Sequence, residues 1–481
     1  MKISIASTYE KAGGAGVAAN RLSKALSEFK DVSVSKLFRY SLDKQSKQVD
    51  HFLPQDAKAN ECEILAKYQR YLIATHRTPV TNTLFTGEST AWDISNFSEI
   101  KESDVINIHW VSEFLNSKAI HSLFELGKPI VWTLHDERAF TGGCHYTYGC
   151  EGFKRSCSDC PQLQTSLHWL AENNFENRMK FIGQMPIHFV SPSNWLKDKL
   201  ISSSVFNKNL HEVSVIRNSV DLETFKPSSC QRKTFIREKF GIPEKNISIL
   251  IGCFSWEEER KGFKFLHDAL CQFSQALKEN SLDTKITLVS MGDGDFEIDG
   301  IEHKSLGFLS NETEISEIIS CCDLFLNMSR EDNLPNTIVE SLACGVPVIS
   351  TNVGGIPEMY DPNKSGRLIT RDDSKSMNES LLMLVSNPEL LKQFSVNARL
   401  DAEMNYSPRT QAFKYFELFK KIICSSEGNA AKSNRMSDKI LKTNNFQKGL
   451  PTRIPAIEYF PENSYSDNAV QWFENKIRSE S

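Results

Sequence analysis

The 481-residue chain has no excess of positive charge. Its 56 Lys and Arg stand against 61 Asp and Glu, for a formal charge of −5. That balance excludes a basic nucleic-acid footprint, so no nucleic-acid partner is expected. Long apolar runs are missing too, and no stretch approaches the ~18 residues that a membrane-spanning helix needs. The opening run Met1–Ser7 holds one basic residue and meets Glu10 and Lys11 before a secretory core could form. The expectation is a cytoplasmic protein. What is present is an ordinary globular composition, 40% hydrophobic and 24% charged. At roughly 100–200 residues per domain, the length predicts two to four domains.

Cysteine is in surplus for such a protein, with twelve in all. Most are scattered, but Cys144, Cys150, Cys157 and Cys160 crowd into one loop with spacing C-x5-C-x6-C-x2-C. Four thiolates suit one tetrahedral zinc and leave no open coordination site, so such a zinc would be structural. His145 is a spare ligand candidate. The alternatives are four reduced thiols or two disulfides.

Short apolar segments alternate with amphipathic ones, the pattern of an α/β protein with parallel sheets. Strands are predicted at 2–7, 32–38, 104–109, 129–134 and 186–191, and a second series at 247–253, 285–290, 323–327 and 346–351. Residues 45–100 read as an irregular insertion with some helix. The polar, Pro-bearing segment Asn218–Ser228 suits a hinge, and helices at 377–396 and near 407–424 close the second series. Predicted domains are 1–222 with the Cys-rich loop 144–160, 223–406, a closing helix 407–424, and a linker and tail 425–481. In 425–454 six Lys or Arg meet two Asp or Glu. This segment is either a solvated linker or a peripheral contact with anionic lipid.

The densest chemistry lies in Ser329–Ile349. Asn333 is a plausible N-cap, Pro335 suits a first helical turn, and Gly345 suits the position after the helix. The helix start would aim free N–H groups at an anion such as a diphosphate. Asp332 and Glu340, as acceptors, suit sugar hydroxyls. Within the glycine run Gly13–Gly16, the stretch Gly14–Ala19 fits the dinucleotide fingerprint G-x-G-x-x-A, but the loop before it is long and no acid follows the second strand. Close backbone approach to a ligand is the better reading.

Together with Trp132–Asp136, Arg260-Lys261-Gly262, Met291–Gly294 and Gly354–Glu358, in this order, the segment resembles the retaining nucleotide-sugar glycosyltransferases of family 4. It is similar to an exopolysaccharide-type subset with a Cys-rich loop. The family usually has Glu where this chain has Asp332, with Glu331 one residue earlier. The resemblance implies the GT-B fold, two Rossmann-like parallel-sheet domains facing across a cleft. It also implies transfer of a sugar from a nucleotide-diphosphate donor, UDP- or GDP-linked, to a hydroxyl of a glycan or lipid-linked sugar, with anomeric configuration retained.

In that resemblance Glu340 receives the ribose hydroxyls, and Asp332 or Glu331 faces the donor sugar with the N–H groups of Asn333 and Leu334. Thr337 sits near the phosphate. Lys261 and Arg260 hold the diphosphate, so no catalytic cofactor or metal is expected. Gly14 and Gly16 approach the donor or the acceptor, His135 lies beside the donor sugar, and His109-Trp110 lines the acceptor side. The resemblance also places the protein near the inner face of a membrane. Rival readings are another GT-B enzyme and a catalytically degenerate sugar-nucleotide- or partner-binding protein.

Overall fold

The structure, a computed structural model, describes residues 1–41, 57–89, 92–255, 257–280, 284–293 and 297–441. It divides into two compact units, Met1–Glu417 and Leu418–Ser481. The first unit holds two six-stranded sheets with their helices.

The first lobe runs β1 (Lys2–Tyr9), α1 (Gly13–Ser27), β2 (Ser33–Tyr40), α2 (Ala57–Thr75), α3 (Ser98–Lys101) and β3 (Val105–Ile108). It continues with α4 (Ser117–Phe124), β4 (Ile130–Thr133), α5 (His168–Asn177), β5 (Ile187–Ser191), α6 (Asn194–Ser202) and β6 (His211–Val215). The second lobe runs α7 (Cys230–Phe240), β7 (Ile247–Ser255), α8 (Phe263–Glu279), β8 (Ile286–Asp293), β9 (Glu302–Ser305) and α9 (Glu312–Cys321). Next come β10 (Leu324–Asn327), α10 (Asn336–Ala343), β11 (Val348–Thr351) and β12 (Gly366–Ile369). Helices α11 (Ser374–Val385), α12 (Pro388–Asn405) and α13 (Pro408–Leu441) end the described chain.

The sheet orders are β2-β1-β3-β4-β5-β6 and β12-β11-β10-β7-β8-β9, and every pairing is parallel. Inner strands are buried on both faces, so they read as continuous apolar runs. In β7, Ile249 and Ile251 enter one core with Leu288 and Leu324, while Leu250 enters the other with Val289 and Phe325. Strands β6, β9 and β12 were not anticipated, and all three are edge strands. An edge strand needs no such run: β9 is Glu-His-Lys-Ser.

The helix expected over 377–396 is two helices. Ser386 closes the first and Asn387 caps the second, accepting from the Leu390 N–H, with Pro388 at the first helical position. Helix α13 runs on past Cys424, so 425–441 is helical. No proline follows Pro408 before residue 451, and Gly428 is the one glycine in that helix. Residues 442–481 of the expected linker and tail lie outside the described residues, as do 45–56 and 90–91 of the expected insertion. Among the described residues no helix is long and apolar enough to cross a membrane.

Candidate active site

Both sheets reverse strand order once, between β1 and β3 in the first and between β7 and β10 in the second. Ligands of open parallel sheets bind outside the carboxyl ends of the strands at such points. The residues singled out above fall there. Arg260 and Lys261 follow β7, Glu331–Asn333 follow β10, the glycines follow β1, and His109 and His135 follow β3 and β4.

In the second lobe Asp332 is the hub. Its Oδ2 accepts from Lys261 Nζ at 2.8 Å and lies 2.9 Å from Arg260 Nη1. Its Oδ1 accepts from the Asn333 N–H at 3.0 Å and the Tyr146 hydroxyl at 3.2 Å. Burial acts to raise this carboxyl, but Lys261 and Arg260 outweigh it and hold Asp332 far below the usual carboxylate range. The loop is pinned from beneath, where the Gly355 N–H donates to the Asp332 carbonyl. Gly354 has φ +59, and a Cβ there would collide with that same carbonyl oxygen.

Helix α10 starts at Asn336 with Pro335 at the cap position, which corrects the expected Asn333 cap. Asn333 is instead spent between lobes: its Oδ1 accepts from Ser193 Oγ at 2.6 Å, and its Nδ2 donates to the His135 carbonyl at 3.2 Å. Leu334 is buried, and Thr337 is the second residue of the helix, half-buried. Gly345, with φ +69, closes the helix as expected.

Across from this cluster, His135 Nε2 lies 3.0 Å from His109 Nδ1. Burial lowers His135 to about 4, with Asp136 opposing, and lowers His109 well below its ordinary value. Trp110 and His145 both bond Asp136, at 2.7 and 2.6 Å. Burial acts to raise Asp136, but the His145 contact outweighs it and holds the acid at about 2. Trp110 is therefore tied to the Asp136 side chain. Gly14 and Gly16 lie in the first turn of α1, not in a loop. The Gly14 carbonyl accepts from Asn336 Nδ2 at 3.0 Å, and Gly16 packs on the backbone of Tyr9.

Glu340 is paired with a cation of the other lobe. Arg21 of α1 donates to it at 2.8 Å and to Glu312 at 2.7 Å. Glu331 accepts from the Tyr148 N–H at 2.9 Å and sits 3.8 Å from Lys199, which also lies 3.5 Å from Glu137. Burial pushes Glu137 up to about 8, and burial likewise raises Glu331. Arg21, Tyr146, Lys199 and Glu137 escaped the sequence reading. Arg21 carried a signal, since it stands on the apolar face of α1 with Ala18, Leu22 and Ala25.

The four loop cysteines line one small cavity of about 10 Å³. Backbone N–H groups point at three of the sulfurs: Gly152 at Cys150, Gly142 at Cys157, and Gln162 and Leu163 at Cys160. That chemistry suits thiolates. The spacing as placed does not make a cage, because among the described residues no three His, Cys, Asp or Glu side chains gather closely enough to hold a metal ion. His145 is not a spare ligand: its two ring nitrogens face Asp136 and Thr86.

Residues 245–387 match the family Glycosyl transferases group 1. WcaC of Escherichia coli K12, named for colanic acid biosynthesis, is 24% identical over 302 residues, 60% of this chain and 67% of WcaC. The N,N'-diacetylbacillosaminyl-diphospho-undecaprenol alpha-1,3-N-acetylgalactosaminyltransferase of Campylobacter jejuni is 23% identical over 232 residues, 46% of this chain and 59% of that enzyme. A crystal structure of HepE from Anabaena with UDP-glucose shares the fold, with a TM-score of 0.59 at 17% identity, covering 88% of this chain and all of HepE. The structural likeness shows the GT-B fold, and the group 1 likeness spans residues 245–387. The glycosyltransferase match covers β7 to α11, so it contains Arg260, Lys261, Asp332 and Glu340.

Proposed function

We propose that the protein moves a sugar from a UDP- or GDP-sugar to a hydroxyl of a glycan or lipid-linked acceptor, retaining anomeric configuration, in polysaccharide biosynthesis. One observation carries the reading. Two cations from the loop after β7 converge on Asp332 just ahead of α10, at the reversal point of the second sheet, with His135 brought alongside by Asn333. A nucleoside diphosphate is the leaving group that such a cluster stabilises as its charge develops. Arg260 is also paired with Glu258 at 2.8 Å, so two carboxylates balance the two cations, and the attraction for the phosphates comes from preplaced guanidinium and ammonium donors rather than from a net charge. The N–H groups at the start of α10 add to it.

The sugar–phosphate C1–O bond breaks as the acceptor oxygen bonds to C1. The acceptor proton passes to the departing phosphate oxygen. Asp332, neutralised by two cations, is a poor nucleophile, which favours this route over a covalent intermediate. The UDP-glucose complex of HepE and the undecaprenol-linked substrate named for the Campylobacter enzyme give the donor and acceptor classes to try first. A membrane-linked acceptor would bring the protein to a membrane surface.

The test is to incubate the purified chain with labelled UDP- and GDP-sugars and acceptor lipids, and read the anomeric configuration of the product. Transfer with retention, lost in Lys261→Ala, supports the proposal. An inverted product overturns retention, and a chain that binds no nucleotide sugar overturns the enzyme reading in favour of a degenerate relative.

A structural zinc on Cys144, Cys150, Cys157 and Cys160 is a separate proposal. It is supported by their shared cavity and the N–H groups aimed at three sulfurs, and it requires the four to draw together. Elemental analysis of reduced protein decides: one zinc per chain supports it, and substoichiometric zinc with four reactive thiols overturns it.

A further inference from the structure

Two buried side chains behind His135 have no part in the reaction described above. Asn107, on β3, points its amide at the neighbouring strand. Its Nδ2 donates to the Val131 carbonyl at 3.1 Å and to Thr133 Oγ1 at 3.0 Å. A carbonyl can only accept, so the Asn107 amide cannot be turned round, and Oδ1 must face His109. His109 Nε2 lies 3.0 Å from that oxygen and must carry the proton. His109 is buried and neutral, so its Nδ1 is left as a bare acceptor. Nδ1 lies 3.0 Å from His135 Nε2, which must then be the donor. In a neutral imidazole, a proton on Nε2 leaves Nδ1 unprotonated.

We propose that Asn107 and His109 are positioning residues that lock His135 in its Nε2–H form, so that it meets the ligand with a hydrogen-bond acceptor at Nδ1. Among the described residues, nothing donates to that nitrogen. The group it receives is a donor, such as a sugar hydroxyl, and not an anionic oxygen. His135 therefore selects a hydroxyl-bearing ligand at this point and does not supply a proton. The orienting chain runs from a backbone carbonyl of β4 through three side chains, all fixed by the sheets. The role of the ligand rests on the function proposed above; the tautomer does not.

The experiment uses the full chain labelled with ¹⁵N-histidine and free of ligand. Two-bond ¹H–¹⁵N correlation reads which ring nitrogen of each histidine is protonated, with His135 assigned by its disappearance in His135→Gln. The expected result at neutral pH is His135 as the Nε2–H tautomer and His109 likewise protonated on Nε2. In Asn107→Ala, which does not touch His135, the His135 signal should become a mixture of tautomers. Its kcat should fall about tenfold, with the donor KM changing less, a loss the size of one hydrogen bond.

A His135 protonated on Nδ1, or on both nitrogens, in the wild-type spectrum overturns the proposal. So does an unchanged His135 signal in a folded Asn107→Ala. Should that variant not fold, the wild-type spectrum still decides. The expected tautomers in a chain that transfers no sugar would sink the function and leave the relay standing. Transfer by a chain with the opposite tautomer would do the reverse.

Discussion

Two buried ion clusters in this protein look alike and do different work. In the first lobe Glu88 pairs with Arg138 at 3.4 Å and Arg178 at 3.0 Å and accepts from the Ser117 N–H at 2.6 Å. Every member belongs to that lobe, and together they fasten the segment before β3 to the helices around β4. In the second lobe Asp332 holds Arg260 and Lys261 ahead of α10, and it also accepts from Tyr146 of the other lobe. The first cluster lies within packed scaffold. The second sits at the carboxyl ends of two sheets, where the proposed donor would exchange carboxylate partners for phosphate oxygens. Buried charge alone does not mark a site; its place relative to the strand ends does.

That contrast can be broken by mutation. Glu88→Gln strands two buried guanidinium groups and should lower stability by about 3–5 kcal/mol, read by chemical denaturation. Its activity per folded molecule should stay near wild type. Lys261→Ala should do the opposite, lowering kcat/KM roughly 10²–10³-fold with little change in the unfolding midpoint. If Glu88→Gln cost only activity, or Lys261→Ala only stability, the two clusters would have been assigned the wrong way round.

The third outcome concerns pH. Glu137 sits at about 8 when folded, above its unfolded value, so its carboxyl stays protonated in the native state while the unfolded chain has already released that proton. Stability from this group is therefore full at low pH and is lost as pH rises towards about 8. Below about pH 6.5 the buried neutral His109 and His135 act with the opposite sign, because the unfolded chain then binds the protons. The clean window is thus from about 6.5 to 8. Wild-type Tm should fall across it, and Glu137→Gln should flatten that fall; equal slopes would contradict the assignment. The smallest effect is expected from Tyr146→Phe, which removes one hydrogen bond to Asp332 and should cost up to about tenfold in donor KM. A loss as large as that of Lys261→Ala would make Tyr146 a principal ligand.

Much of this arrangement was legible in the residues. Buried parallel strands announce themselves as apolar runs, so the inner strands of both sheets were readable, whereas the polar edge strands β6, β9 and β12 were not. The ordered motifs brought Asp332, Arg260, Lys261 and His135 to mind together, and the fold places them around the two reversal points. The partner of each group was hidden. Arg21 meets Glu340 across 319 residues of sequence, and Tyr146 meets Asp332 across 186. Such pairings depend on how two lobes meet, which no local pattern encodes. The helix start was misplaced for a related reason, because Asn333 looks like a cap until Ser193 and the His135 carbonyl claim its side chain.

The most direct test is a calorimetric titration of UDP- and GDP-sugars into the wild-type chain and into Lys261→Ala. The account predicts saturable binding of at least one nucleotide sugar to the wild type, at least tenfold weaker in the variant. Equal affinity in the two proteins, or no binding to either, would contradict it.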